Sequence, residues 1–138
     1  MRLNTYVNYA GNCAEAFRFY EQHLGAKIGM MMMYNQMPGS SAAAPEFQDK
    51  VLHASLDIGG TRVMASDVAG AQPTQSSYMC LAVDTDAEAE RIYAALSDGG
   101  EIFMPLQETF FATRFAQLRD RFGIAWMVIH EKPMGPPA

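Results

Sequence analysis

The sequence predicts an α+β fold built from two tandem β-α-β-β-β modules whose sheets form a curved trough. Three observations predict it. A helical stretch, AEAFRFY from Ala14, returns as AEAERIY from Ala87, 73 residues later. Each copy follows a short β-rich run, LNTYVNY and then SYMCLAV, and each gives way to a glycine and a new strand, GAKI and then GGEI. Each half also closes alike: LDIGGTRVM, ending at Met64, and RDRFGIAWM, ending at Met127, both run from an Asp through a glycine turn into a β run.

The elements follow in order. After the first strand, Asn12 with Glu15 three residues on reads as a capped helix start. Cys13, Ala16, Phe17, Tyr20 and Leu24 then fall at helical spacing until Gly25 stops the run. The second strand carries Met30 to Tyr34, with alternate methionines on both faces, a pattern that fits a plastic ligand wall, a subunit contact or an irregular core. Residues 35–49 form a long loop rich in Pro, Gly, Ser and Ala, and VLHASLDI and TRVMASD then make a hairpin about Gly59 and Gly60. In the second half Asp86 caps a helix with the stripe Ala89, Ile92, Tyr93 and Leu96, ended by Gly99 and Gly100, and the later loop is shorter. The modules are residues 1–70 and 75–131 of one domain, and the tail 132–138 reads as a mobile end.

At 138 residues, 49% hydrophobic and 18% charged, the chain suits one compact domain. A net charge of -5 with scattered Lys and Arg argues against nucleic acid. With no apolar leader and no run near the roughly twenty residues of a membrane span, the expectation is a soluble, cytoplasmic protein without a membrane partner. Cys13 and Cys80 match neither a disulfide framework nor a CxxC motif and read as buried thiols. Serine or cysteine nucleophile motifs, a phosphate-binding glycine loop and HExxH are all absent from the sequence.

A four-stranded sheet with one helix covers only one of its faces, so the other is left for a ligand or partner. Strand alternation puts Leu52, Ala54, Leu56 and Ile58 under the first helix and Val51, His53, Ser55 and Asp57 in the trough. A two-residue turn at Gly59 and Gly60 pairs Ser55 with Met64 and His53 with Ser66 on that same face. The 63-residue offset between Met64 and Met127 carries this lining to Arg114, Ala116, Leu118, Met127 and Ile129, and the helix offset matches Thr5 with Tyr78, both pointing inward.

The duplicated pattern, with GNCAEAFRFY after the first strand, LHASLDIGGTRVMASD and the closing DRFGIAWMVI, resembles the vicinal oxygen chelate superfamily, specifically the PhnB-like branch of its glyoxalase and bleomycin-resistance members. The resemblance runs from about Leu3 to His130. It implies the glyoxalase/bleomycin-resistance fold and, in metal-using members, two ligands per module, one from the first strand and one from the last. Carried onto this chain, those positions are Thr5, Met64, Tyr78 and Met127. None suits a divalent ion that favours imidazole and carboxylate, since thioether prefers soft Cu(I). The expectation is therefore no cofactor, with a divalent metal kept only as the alternative.

His53 is the one histidine placed in the trough, as a general base or hydrogen-bond donor, unless Ser66 merely satisfies it across the hairpin. Arg114 either holds an anionic substrate or pairs with Asp57, Glu108 or Asp120. Thr5 and Tyr78 either offer hydroxyls to a ligand oxygen or fill space as core residues; Ser55, Met64, Ser66 and Met127 complete the lining; and Phe110 with Phe111 reads either as an aromatic lid or as core. The function expected is a small-molecule-binding protein working without the usual divalent metal, assembled as a homodimer. The alternatives are a metal-dependent lyase, isomerase or dioxygenase of the same fold, and a dimeric scaffold with a vestigial pocket.

Overall fold

A computed structural model describes residues 1–38 and 44–133. The end of the tail, residues 134–138, lies outside the described residues, as does the middle of the long loop, residues 39–43. The chain divides into two compact units, Met1–Gln72 and Pro73–Ala138.

The first unit runs β1 (Thr5–Tyr9), α1 (Cys13–Leu24), β2 (Lys27–Met33), β3 (Val51–Ile58) and β4 (Thr61–Asp67), with sheet order β1-β4-β3-β2. β1 runs parallel to β4 and the other neighbours are antiparallel. Gly59 and Gly60, at φ 56° and 83°, make the two-residue turn that a right-twisted hairpin favours. The turn sets Ser55 opposite Met64, as the sequence predicts, and Ala54 opposite Ala65. Val7, Tyr9, Ala54, Leu56, Ile58, Val63 and Ala65 are buried, and they share one face with the buried helix residues Ala16, Phe17 and Tyr20. Tyr9 ties that face to α1 through an edge-on contact with Phe17 and a 3.3 Å hydroxyl bond to Tyr20.

The start of α1 differs from expectation. The side chain of Asn12 makes no cap bond, and its Oδ1 is buried without a partner among the described residues. Asp67, 1% exposed, does the work instead: its Oδ1 accepts from the Gly11 and Cys13 amides, both at 3.0 Å, and its Oδ2 from the Val51 amide at 2.8 Å. One carboxylate thus satisfies orphan donors at the helix start and at the first residue of β3. Beside it, just ahead of the long loop, the Tyr34 hydroxyl donates to the Asp67 carbonyl at 2.7 Å.

The second unit repeats the plan with β5 (Met79–Ala82), α2 (Asp86–Ser97), β6 (Glu101–Gln107), β7 (Ala112–Arg119) and β8 (Ala125–Glu131), in sheet order β5-β8-β7-β6. Thr85, not Asp86, caps α2, its hydroxyl accepting from the Glu88 amide at 3.0 Å. Asp86 is the first helical residue. Buried Ala116, Leu118, Trp126 and Val128 form this sheet's helix-side row, so Ala116 and Leu118 do not share a face with Met127 as the sequence predicts. Their places opposite are taken by Phe115, paired with Ile129, and Gln117, paired with Met127. Of the two cysteines only Cys13 is buried; Cys80 is exposed.

Candidate functional site

The face of the first sheet away from α1 is laid out by its register. Tyr6, Met64, Ser55 and Met30 form one row across β1, β4, β3 and β2. Asn8 beside Ser66, and His53 beside Met32, form the next. Tyr6 rather than Thr5 holds the β1 position, because Thr5 lies opposite Val63 on the helix side. A strand shifted by one residue turns every side chain over, and β1 is read correctly only from its apolar alternation, Val7 and Tyr9, toward the helix.

Two polar pairs are built on this face. The Tyr6 hydroxyl lies 3.2 Å from His53 Nδ1, with the two rings stacked at 5.8 Å and 26°. Ser66 donates to Asn8 Oδ1 at 3.1 Å, so Ser66 is not the partner of His53. Ser55 and Ser66 are buried at 8% and 7% exposure, and Met30 and Met32 stand exposed beside them. A bulge at Gly29 makes this possible: Ile28 pairs with Leu56 and Met30 with Ser55, so one residue is skipped and the methionines after it change sides. Any Cβ at Gly29 would stand 2.8 Å from Ser55 Oγ.

In the second unit the matching face carries Cys80 beside Met127, then Gln117, with Phe115 and Ile129 in the adjoining row. Tyr78 precedes β5 and is exposed. The chain between strand and helix is one residue shorter here, so the helix offset does not transfer to the strand. Phe110 is almost fully exposed and meets Phe111 edge-on at 5.1 Å, and Phe111 meets Phe115 in the same way, also at 5.1 Å.

Arg114 lies on the other side. Opposite His130 in register, it pairs with Glu90 at 3.2 Å and Asp86 at 3.6 Å, both on α2 rather than the three partners the sequence suggested. Asp86 Oδ1 also takes the Thr113 hydroxyl at 2.5 Å and His130 Nδ1 at 2.7 Å. These hydrogen bonds, Thr113 foremost, hold the Asp86 carboxyl below its ordinary range, with Arg114 adding to the effect. Burial, and then the Asp67 carboxylate, pushes the Cys13 thiol up to about 12, and burial with Glu131 raises Cys80.

The paired β-α-β-β-β units and the family model for the glyoxalase/bleomycin resistance protein/dioxygenase superfamily, matched over residues 2–128, decide the family. The chain belongs to this superfamily. The superfamily relative YjdN of Escherichia coli is 33% identical, covering 93% of this chain and 94% of its own length. The crystal structure of PA1353 from Pseudomonas aeruginosa is 40% identical, with a TM-score of 0.84 over 96% of this chain and 99% of its own. The PhnB protein of Bacillus cereus shares the superfamily fold at 22% identity and a TM-score of 0.81 over 94% and 99% of the two chains. Against this background the donors do not fit the divalent metal of metal-using members. Tyr6 beside Met64 and Cys80 beside Met127 offer phenol, thioether and thiol where imidazole and carboxylate are needed. Among the described residues no three His, Cys, Asp or Glu side chains gather to hold an ion, and no helix is long and apolar enough to cross a membrane.

Proposed function

We propose that the chain is a small-molecule-binding protein that works without the superfamily's divalent metal and holds its ligand on the helix-free face of the first unit. The observation that supports this is the Tyr6–His53 pair, a hydrogen-bonded aromatic couple flanked on that face by methionine, serine and asparagine, with the charged pair Asp57 and Arg62 farther along toward the hairpin turn. Small-molecule sites combine an adaptable apolar wall with a few fixed polar points. Here Met30, Met32 and Met64 supply the wall, while His53 and Tyr6 supply the points, able to orient a ligand oxygen. Ser55 and Ser66 form the floor between them. Met127, Phe110 and Phe111 are carried in this reading as apolar ligand-contact candidates of the second unit taken by itself. Homodimer assembly belongs to it as well, and is checked by light scattering for a mass twice 15.2 kDa.

The test is a ligand screen by native mass spectrometry on metal-free protein, followed by titration of hits against His53→Ala and Tyr6→Phe. A drop in affinity of tenfold or more with His53→Ala, and a smaller one with Tyr6→Phe, is the expected result. Hits that bind both variants as tightly as the parent would remove this face from the reading.

A further inference from the structure

The same face places three soft or borderline donors where none of the superfamily's hard-metal ligands stand. We propose that Met30, Met32 and His53 form a binding site for Cu(I).

Register carries the geometry. Met32 and His53 are direct cross-strand partners, which puts their Cβ atoms about 4.5–5.5 Å apart. Met30 follows on the same strand and face, about 7 Å along from Met32. The residue opposite Met30 is Ser55, and Gly29 carries no side chain, so nothing bulky stands over Met30 from those two positions. A thioether on an unbranched chain with three rotatable bonds can cross such a gap. The bulge at Gly29 is what delivers both methionines to the face: in an unbroken ladder they would share the side of Ile28, under α1.

The imidazole is already oriented. With Tyr6 at Nδ1, the ring is fixed by a second partner and Nε2 is the nitrogen left to coordinate. A ligating histidine typically carries its other N–H on an oxygen partner of this kind. Two thioethers and one imidazole select a soft monovalent ion over Zn, Mn or Fe(II). The exposure of Met30 and Met32, 39% and 38%, gives the ion a way in. The inference goes beyond the small-molecule reading and does not depend on it, because that reading is tested on metal-free protein.

The experiment uses the full chain with Cys80→Ser, which removes the exposed thiol as a competing site, and titrates Cu(I) anaerobically against bicinchoninate. Ag(I) serves as a redox-inert probe with 13C-methyl-methionine NMR. The expected result is one equivalent withdrawn from the chelator, no response to Zn(II), and Ag(I)-induced shifts in two methionine methyls. Met30→Leu, Met32→Leu and His53→Gln should each weaken binding tenfold or more. Met31→Leu, on the same strand but paired with Ala54 on the other face, should leave it unchanged. Leucine conserves volume, and circular dichroism confirms that each variant is folded. Failure to withdraw one equivalent, or an equal loss in Met31→Leu, or full binding in a Met30→Leu/Met32→Leu double variant, would overturn the proposal.

Discussion

Asp67→Asn tests how the first unit is held together, because one buried carboxylate joins three segments. The substitution keeps shape but trades an acceptor oxygen for an NH2 group. In the better orientation the amide oxygen still accepts from Gly11 and Cys13, now without charge assistance, while Nδ2 faces the Val51 amide donor to donor. Losing one buried bond and leaving its donor unmet costs about 1–3 kcal/mol, and weakening the other two adds to this. Relief from no longer burying a charge offsets part of the sum, leaving a loss of about 2–3 kcal/mol. With a urea slope near 2 kcal/mol/M, the unfolding midpoint should fall by roughly 1–1.5 M. Flipping the amide is worse, since NH2 would then face two donors. Glu46→Gln, at an exposed position, is the control and should not move the midpoint. A midpoint for Asp67→Asn within about 0.3 M of the parent would refute the assignment of Asp67 as the tie between α1 and β3.

Two further outcomes follow from burial. Leu56 is 1% exposed, so Leu56→Ala should cost about 2–5 kcal/mol by urea unfolding. His53→Ala removes one 3.2 Å bond at an exposed site and should cost under about 1 kcal/mol; equal losses for the two would show that His53 is structural. Native protein treated with iodoacetamide should be modified at Cys80 and not at Cys13, because Cys13 is buried and its thiol is pushed up to about 12. The raised value at Cys80 leaves less thiolate at neutral pH than an ordinary cysteine has, so its labelling should be slow there and climb as pH passes its ordinary value. Mass spectrometry after digestion identifies the labelled residue.

The duplication was legible because matching strands, helices and glycine turns recur at nearly constant offsets, and the Gly59–Gly60 turn leaves the first hairpin a single register. Individual side chains were harder to place wherever the offset changes by one. Met64 matches Met127, yet Ser55 matches Gln117 rather than Leu118, because one more residue separates Gln117 from Met127 than separates Ser55 from Met64. That single residue exchanges Ala116 and Leu118 for Phe115 and Gln117. Likewise Tyr6 corresponds to Cys80, not Thr5 to Tyr78. His53, Ser55, Met64 and Ser66 fell on one face as read, since they belong to the hairpin whose turn is unambiguous. Asp67 could not be seen as a helix cap at all, because its bonds to Gly11 and Cys13 cross more than fifty residues of chain.

The two units solve the same junction with opposite chemistry, and this gives a last prediction. Asp67 near the end of β4 reaches the first residue of α1 and the first residue of β3; His130, at the matching position on β8, reaches the first residue of α2 and the β7 residue that matches Val51. In the first unit the helix begins with Cys13, so a carboxylate meets only backbone N–H groups. In the second it begins with Asp86, and a carboxylate at 130 would confront another. His130→Asp should therefore destabilise the second unit by placing two anions where a hydrogen-bonded pair stood. Adding Asp86→Ala to that variant should recover part of the loss, since the new carboxylate could then turn to the helix amides as Asp67 does. The pH dependence has a fixed sign. Asp86 is held below its ordinary value of 3.8, so its contribution is complete above that value and is lost as pH falls through its lower folded value. The deficit of Asp86→Ala against the parent should shrink across that acid range. If His130→Asp/Asp86→Ala unfolds at a lower urea concentration than His130→Asp, the two junctions are not equivalent and the correspondence between the units ends before the last strand does.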